Sequence, residues 1–270
     1  MTNVTTLADL ARSVLGEGDA LSKAAASRSA AAQWRDTKVS LCHETIDDRP
    51  ARPEHPILLN PGAMSRRRAL TTTSGQIALL HALAHIEFNA IDLAWDIAAR
   101  FPGQPREFYR DWIAVGDDEA RHFLMLHERL IDLGSDYGDL PAHDGLWQSA
   151  LDTRDDLLVR LAIVPLVLEA RGLDVTPGMI ERLERAGDNQ SADILKIIYR
   201  DEIGHVAAGT RWYHAVCRER GLEPEKTWRT IVNERFRGSL KPPFNDAARA
   251  QAGLPESYYA AESESEPVTR

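Results

Sequence analysis

The sequence predicts an all-α protein: an antiparallel four-helix bundle with a long crossover, flanked by N-terminal helices and a strap and by a C-terminal helix and tail. Three observations predict it. Four segments repeat apolar residues at helical spacing, and none shows the alternation of a half-buried strand. Their connections run short, long, then moderate, which puts the long crossover between two helix pairs. Each of the four stripes is interrupted at mid-length by an ionisable residue.

Residues 1–40 read as two short helices, the second Ala-rich. Residues 41–65 carry Pro50, Pro53, Pro56 and Pro61, too dense for helix and suited to an extended strap. The first long helix opens after Thr71-Thr72-Thr73-Ser74, good capping chemistry, and stops at Phe101-Pro102-Gly103. Its stripe is Ile77, Leu80, Ala84, Glu87, Ile91, Ala94 and Ala98. The second begins near Pro105, with Trp112, Val115, Glu119, His122, Leu126 and Leu130 on one face. A loop containing Gly134, Gly138, Pro141 and Gly145 follows. The third spans about Thr153 to Arg171, with Leu158, Leu161, Pro165 and Glu169, and Pro165 is expected to kink it. A minor helix near 177–186 precedes the fourth, which starts around Asp188 and aligns Leu195, Ile198, Glu202, His205, Ala208 and Trp212. A short helix near 223–236 and an irregular tail complete the chain. Residues 1–65, 66–220 and 221–270 read as three parts of one structural domain.

Bulk properties narrow the function. Of 270 residues, 43% are hydrophobic and 27% charged, and the net charge is -9. That balance disfavours nucleic-acid binding, which leaves a basic footprint. Arg66, Arg67 and Arg68 form a local basic run, read as a solvated face. No uninterrupted apolar run reaches membrane-spanning length, and no export signal opens the chain. Cys42 and Cys217 are far apart and read as reduced thiols, so a cytoplasmic location and no membrane partner are expected.

The chemistry lies in the interrupted stripes. Residues i and i+3 share a helix face. Glu119-x-x-His122 and Glu202-x-x-His205 therefore each aim a carboxylate and an imidazole at one interior spot. With Glu87 and Glu169 they form a ligand set of four carboxylates and two imidazoles, the set that dinuclear iron or manganese carboxylate sites use. One Glu-x-x-His is a weak signal. Here both are preceded by aspartate, Asp118 and Asp201, and the spacings Glu87 to Glu119 and Glu169 to Glu202 are 32 and 33 residues. Two helix hairpins thus each deliver one Glu and one Asp-Glu-x-x-His. Metal-bound histidines usually donate their other N–H to a carboxylate. Asp118 is expected to hold His205, and Asp201 to hold His122.

Tyr199, three residues before Glu202, is expected to face the site as a redox-active or hydrogen-bonding phenol, with a satisfied core tyrosine as the plainer alternative. His81 and His85 read as packing or supporting residues, and Trp112 and Trp212 as core. Gly116 and Gly209 leave room on the stripes for either a small cavity or close helix packing. The proline-rich segments 47–62 and 241–255 read in two ways: packed over the metal-bearing region, with Phe244 as an apolar plug and Arg66 to Arg68 toward an anionic group, or simply bracing the helices away from it.

The pattern resembles the ferritin-like di-iron superfamily. Asp118-Glu119-Ala120-Arg121-His122 is similar to the motif of bacterial multicomponent monooxygenases and ribonucleotide reductase small subunits. HALAHIE, DDEARHF, DEIGHV and KPPFN resemble a bacterial ferritin-like family called domain of unknown function 455, over most of residues 35–260. The second motif departs, with Gly204 in the place of Arg121. The resemblance implies two iron ions, with manganese or a mixed pair as alternatives, and assigns no substrate. The expected function is a dioxygen-activating oxidoreductase, a hydroxylase or oxidase acting on a small molecule. The alternatives are a ferroxidase or iron-handling protein, a manganese catalase-like scavenger, and a non-enzymatic metal-binding module. An electron-donor protein and a homodimeric partner are compatible with the pattern without being specified by it. A tRNA-like substrate enters only by analogy with the more distant tRNA-modifying di-iron hydroxylases.

Overall fold

The structure, a computed structural model, describes residues 5–36, 38–64 and 69–260. Arg66, Arg67, Arg68 and the last ten residues lie outside the described residues. The described chain is helical, and its only β pairing is two isolated bridges, Thr6 with Ser40 and Leu58 with Ala142.

The N-terminal helices are α1 (Leu7–Leu15) and α2 (Ala20–Asp36). Next come α3 (Thr73–Arg100) and α4 (Arg106–Asp132), packed as a hairpin. Thr72 caps α3 through its hydroxyl, and Pro105 sits at the cap of α4 instead of inside its first turn. In α3 every residue from Glu87 to Ala99 is buried. It is the one described helix long and apolar enough to cross a membrane, yet 72% of that window is buried inside the protein.

The second half departs from the sequence expectation. The loop after α4 contains α5 (Gly145–Asp152), which fixes Trp147 in the core. The third helical segment starts as α6 (Leu157–Ile163) and widens to a π-helix over Val164–Glu169. It then continues as α7 (Ala170–Arg185). Pro165 cannot donate an i→i−4 hydrogen bond, and the chain accommodates it in the wider turn, which ends on Glu169. The minor helix expected near 177–186 is part of α7, which runs straight through Pro177. Pro177 deprives the Leu173 carbonyl of its helical donor, and Asn245 Nδ2 replaces it at 3.1 Å. A residue distant in sequence thus keeps the helix intact.

α8 (Asn189–Arg220) is capped by Asp188 and ends at Gly221, whose φ of 66° is left-handed. It packs on α4, on α6, on the π-helix and on α7. Gly209 allows the approach to the π-helix, because a Cβ there would lie 2.4 Å from Pro165 Cβ. Gly116 likewise faces the Trp95 ring, so both glycines serve close packing. α9 (Pro224–Arg235) follows. The tail is ordered rather than irregular, with α10 (Asp246–Gln251) and buried Leu254, Tyr258 and Tyr259. The main apolar core runs from Leu7 to Tyr259, and Leu93, Trp147, Ala150 and Val164 form a smaller cluster.

Candidate metal centre

α3, α4, the π-helix and α8 each bring one glutamate to the same interior region. Glu87, Glu119, His122 and Glu202 each offer a ligand atom within 4.8 Å of the others. His122 Nδ1 lies 3.2 Å from Glu87 Oε2 and 3.4 Å from Glu119 Oε2. His205 Nδ1 lies 3.0 Å from Glu119 Oε1 and 3.6 Å from Glu202 Oε1. Glu169 stands close enough for Glu202 and Glu119 to perturb its ionisation. The structure therefore brings five of the six predicted ligands into contact, and Glu169 lies near enough to feel the charges of Glu202 and Glu119.

The electrostatics are those of an overcrowded acid cluster. Burial, then Glu202 and Glu119, push the Glu169 carboxyl up to about 8. Burial and the neighbouring Glu119 raise Glu87 well above the usual carboxylate range. Burial works against a charged His122, but hydrogen bonds to Glu119 and Glu87 outweigh it and hold the imidazole at about 10. Burial opposes ionisation of Glu119 too, yet His205 and His122 keep it below its ordinary value. The two histidines thus stand in for cations. No lysine or arginine forms an ion pair with any of the four glutamates among the described residues.

The outer faces of the imidazoles meet the two aspartates in exchange. His122 Nε2 lies 3.3 Å from Asp201 Oδ2. His205 Nε2 lies 3.5 Å from Asp118 Oδ2, an ion-pair contact without hydrogen-bond geometry. Each aspartate faces the histidine of the other motif. Arg121 joins them, donating from Nη2 to Asp118 at 2.9 Å and to Asp201 at 2.7 Å. Sequence reasoning gave Arg121 no role. Its place three residues after Asp118, on the same helix face, was the available signal. Gly204 leaves open space at the matching position of α8.

Tyr199 is not joined to the cluster. Its hydroxyl accepts a hydrogen bond from Asn245 Nδ2 at 2.9 Å, and it makes none to the six ligand candidates. Nor does Phe244 plug the centre. It is half-buried, with its ring centroid 4.7 Å from that of Tyr259 and 4.9 Å from the Arg249 guanidinium. The strap is not a cover either. Its Arg52 binds Asn89 and Asp92, which lie about 140–200° around α3 from Glu87 at 100° per residue. His81 and His85 contact the loop after α4: His81 Nε2 accepts from the Gly138 amide, and His85 Nδ1 pairs with the Tyr137 hydroxyl at 2.8 Å.

A metal pair fits these residues. Glu119 Oε2, Glu169 Oε2 and both ring nitrogens of His205 are buried without a hydrogen-bond partner among the described residues. Buried polar atoms are normally satisfied, and four glutamates in a core demand compensation. Hard carboxylate oxygens with imidazole nitrogens suit iron and manganese.

Fold and site define the class: an all-α protein whose long helices close on a buried centre of four glutamates and two histidines. The chain belongs to the family described as "Protein of unknown function (DUF455)", matching it over residues 17–260. It is also similar to a Haemophilus influenzae chain named "Uncharacterized protein", 43% identical over 215 residues, which cover 77% of this chain and 74% of that one. No solved structure matches.

Proposed function

We propose that α3, α4, α6–α7 and α8 form a ferritin-like antiparallel bundle holding two metal ions, iron foremost, and that the protein is a dioxygen-activating oxidoreductase of the hydroxylase or oxidase type. The observation that carries this reading is the set of orphaned buried ligand atoms on six converging side chains. Glu87, Glu119, His122, Glu169, Glu202 and His205 would hold the pair. Bound there, two ferrous ions supply electrons for the reduction of dioxygen.

The chain itself supplies three things. The glutamates offer the hard carboxylate oxygens that two such ions would take. Asp118, Asp201 and Arg121 fix the imidazole planes, with Nδ1 toward the centre. The aliphatic packing of the surrounding helices keeps bulk water from the site. The substrate would be a small molecule, and a separate reductant would return the ions to the ferrous state after each turnover.

Anaerobic loading with ferrous iron, followed by elemental analysis, is expected to give two irons per chain. Admitting air should then consume dioxygen faster than free ferrous iron does. One tightly held zinc, or no iron, would remove the dinuclear reading. Retention of manganese with rapid peroxide decay and no oxygen uptake would turn it toward peroxide scavenging.

A further inference from the structure

The C-terminal segment meets α7 and α8 one helical turn from the candidate centre. Asn245 is the contact. Its side-chain amide donates to the Leu173 carbonyl on α7 at 3.1 Å and to the Tyr199 hydroxyl on α8 at 2.9 Å. Leu173 lies four residues after Glu169, and Tyr199 three residues before Glu202, so each pair shares a helix face. One amide thus spans the two chain segments that carry Glu169 and Glu202, about one helical turn from those carboxylates.

The rest of the segment secures that amide. The Asn245 backbone N–H donates to Asp174 Oδ1 at 2.9 Å. Arg249, almost fully buried, grips the same carboxylate from Nε at 2.8 Å and Nη2 at 2.7 Å. Arg171 ties the approach, donating to the Lys241 carbonyl at 2.6 Å and the Pro243 carbonyl at 3.3 Å. Phe244 and Tyr259 flank the Arg249 guanidinium. The tail needs none of this for solubility. A bidentate buried pair and an amide filling the gap left by Pro177 are a built joint.

We propose that Asn245 is a positioning residue for the metal centre, and that closure of residues 241–259 on α7 and α8 is thermodynamically coupled to metal occupancy. The proposal rests on the dinuclear reading above. The joint sets the spacing of α7 from α8 where Glu169 and Glu202 must reach the same ions. Coupling is reciprocal: the factor by which the closed tail tightens metal binding equals the factor by which metal tightens the tail.

The test uses the full chain and Mn(II), which is stable in air. Mn(II) affinity is measured by titration, and amide hydrogen exchange of residues 241–259 is followed with and without Mn(II). Wild type is expected to bind Mn(II) and to slow exchange in the tail about five-fold or more, the low end of ordinary coupling. Asn245→Ala should weaken Mn(II) by a matching factor and abolish the metal-dependent slowing. A purely structural role would lower Tm and leave both readings at wild-type values, which overturns the proposal while the centre stands. Wild type that binds no Mn(II) or Fe(II) overturns both together. Should Asn245→Ala fail to fold, Tyr199→Phe removes only the phenol partner. A weaker Mn(II) site in that variant supports the coupling, and unchanged affinity with unchanged tail protection overturns it.

Discussion

Two faces of α3 bury acid in opposite ways. The face turned to the strap holds Asp92 and Asp96, each matched by two cations. Asp92 pairs with Lys23 at 2.7 Å and Arg52 at 3.1 Å. Asp96 pairs with Arg100 at 2.7 Å and Arg160 at 2.5 Å. The face turned inward holds Glu87 in a cluster of four glutamates with no lysine or arginine and several orphaned atoms. The first face meets its acids with lysine and arginine, although Asp92 Oδ2 and Arg52 Nη1 face each other at 3.1 Å without hydrogen-bond geometry. The second has only two imidazoles as countercharge among the described residues, and on the proposed reading metal would supply the rest. On the proposed reading, one helix thus carries a structural ion network on one face and a binding centre on the other, and the distinguishing quantity is how much fixed cationic charge the chain itself supplies.

The comparison breaks most sharply on stability. Arg160→Met leaves Asp96 short of one of its cations and should destabilise the metal-free protein by about 3–5 kcal/mol, read by chemical denaturation. A loss under 1 kcal/mol would mean the strap-facing network is dispensable. On the inner face the same experiment changes sign: Glu169→Leu should stabilise the metal-free protein by about 1–3 kcal/mol, because it removes an unsatisfied buried carboxyl. The same variant should lose at least one of the two metals. Comparable in size to the Glu169 effect is the loss of either aspartate. Asp118→Ala or Asp201→Ala should weaken metal binding about 10–100-fold with little change in metal-free stability. Unchanged affinity in both would leave the imidazoles oriented by packing alone.

A further effect is a slope. His122 is held at about 10, above its ordinary value, so its contribution is full below pH 6.5 and is lost as pH rises through 10. Glu169 is held at about 8, so burial favours its protonated form, and that contribution is lost as pH rises from 4.5 through 8. Metal-free stability should fall as pH rises across this window. Saturating Mn(II) should reverse the trend, since ligands must shed protons to bind. Glu169→Leu should flatten the metal-free slope, while Arg160→Met lowers the curve without tilting it.

The inner face was legible in the sequence and the outer face was not. Glu119 with His122, and Glu202 with His205, are three residues apart, so helical geometry alone predicts their meeting. Asp92 and Lys23 are 69 residues apart and Arg52 is 37 from Asn89, and no periodicity announces such pairs. The same limit explains the errors in the second half. Pro177 reads as a helix boundary from local rules, and only the distant Asn245 cancels it. Gly145 reads as loop, whereas burial of Trp147 favours α5. Tyr199 sits where spacing put it, but its hydroxyl answers a tail residue that spacing cannot reveal.

The exchanged aspartates bear on the order of events in the life of the chain. Asp118 serves His205 and Asp201 serves His122, so neither hairpin contains a finished half-site. During synthesis the α3–α4 hairpin emerges first, with His122 lacking its orienting carboxylate until α8 has been made and docked. On the proposed reading, tight metal capture would therefore wait for the last long helix. A nascent or half-folded chain would be a poor iron sink, and loading would become a late, self-checking step that reports successful assembly.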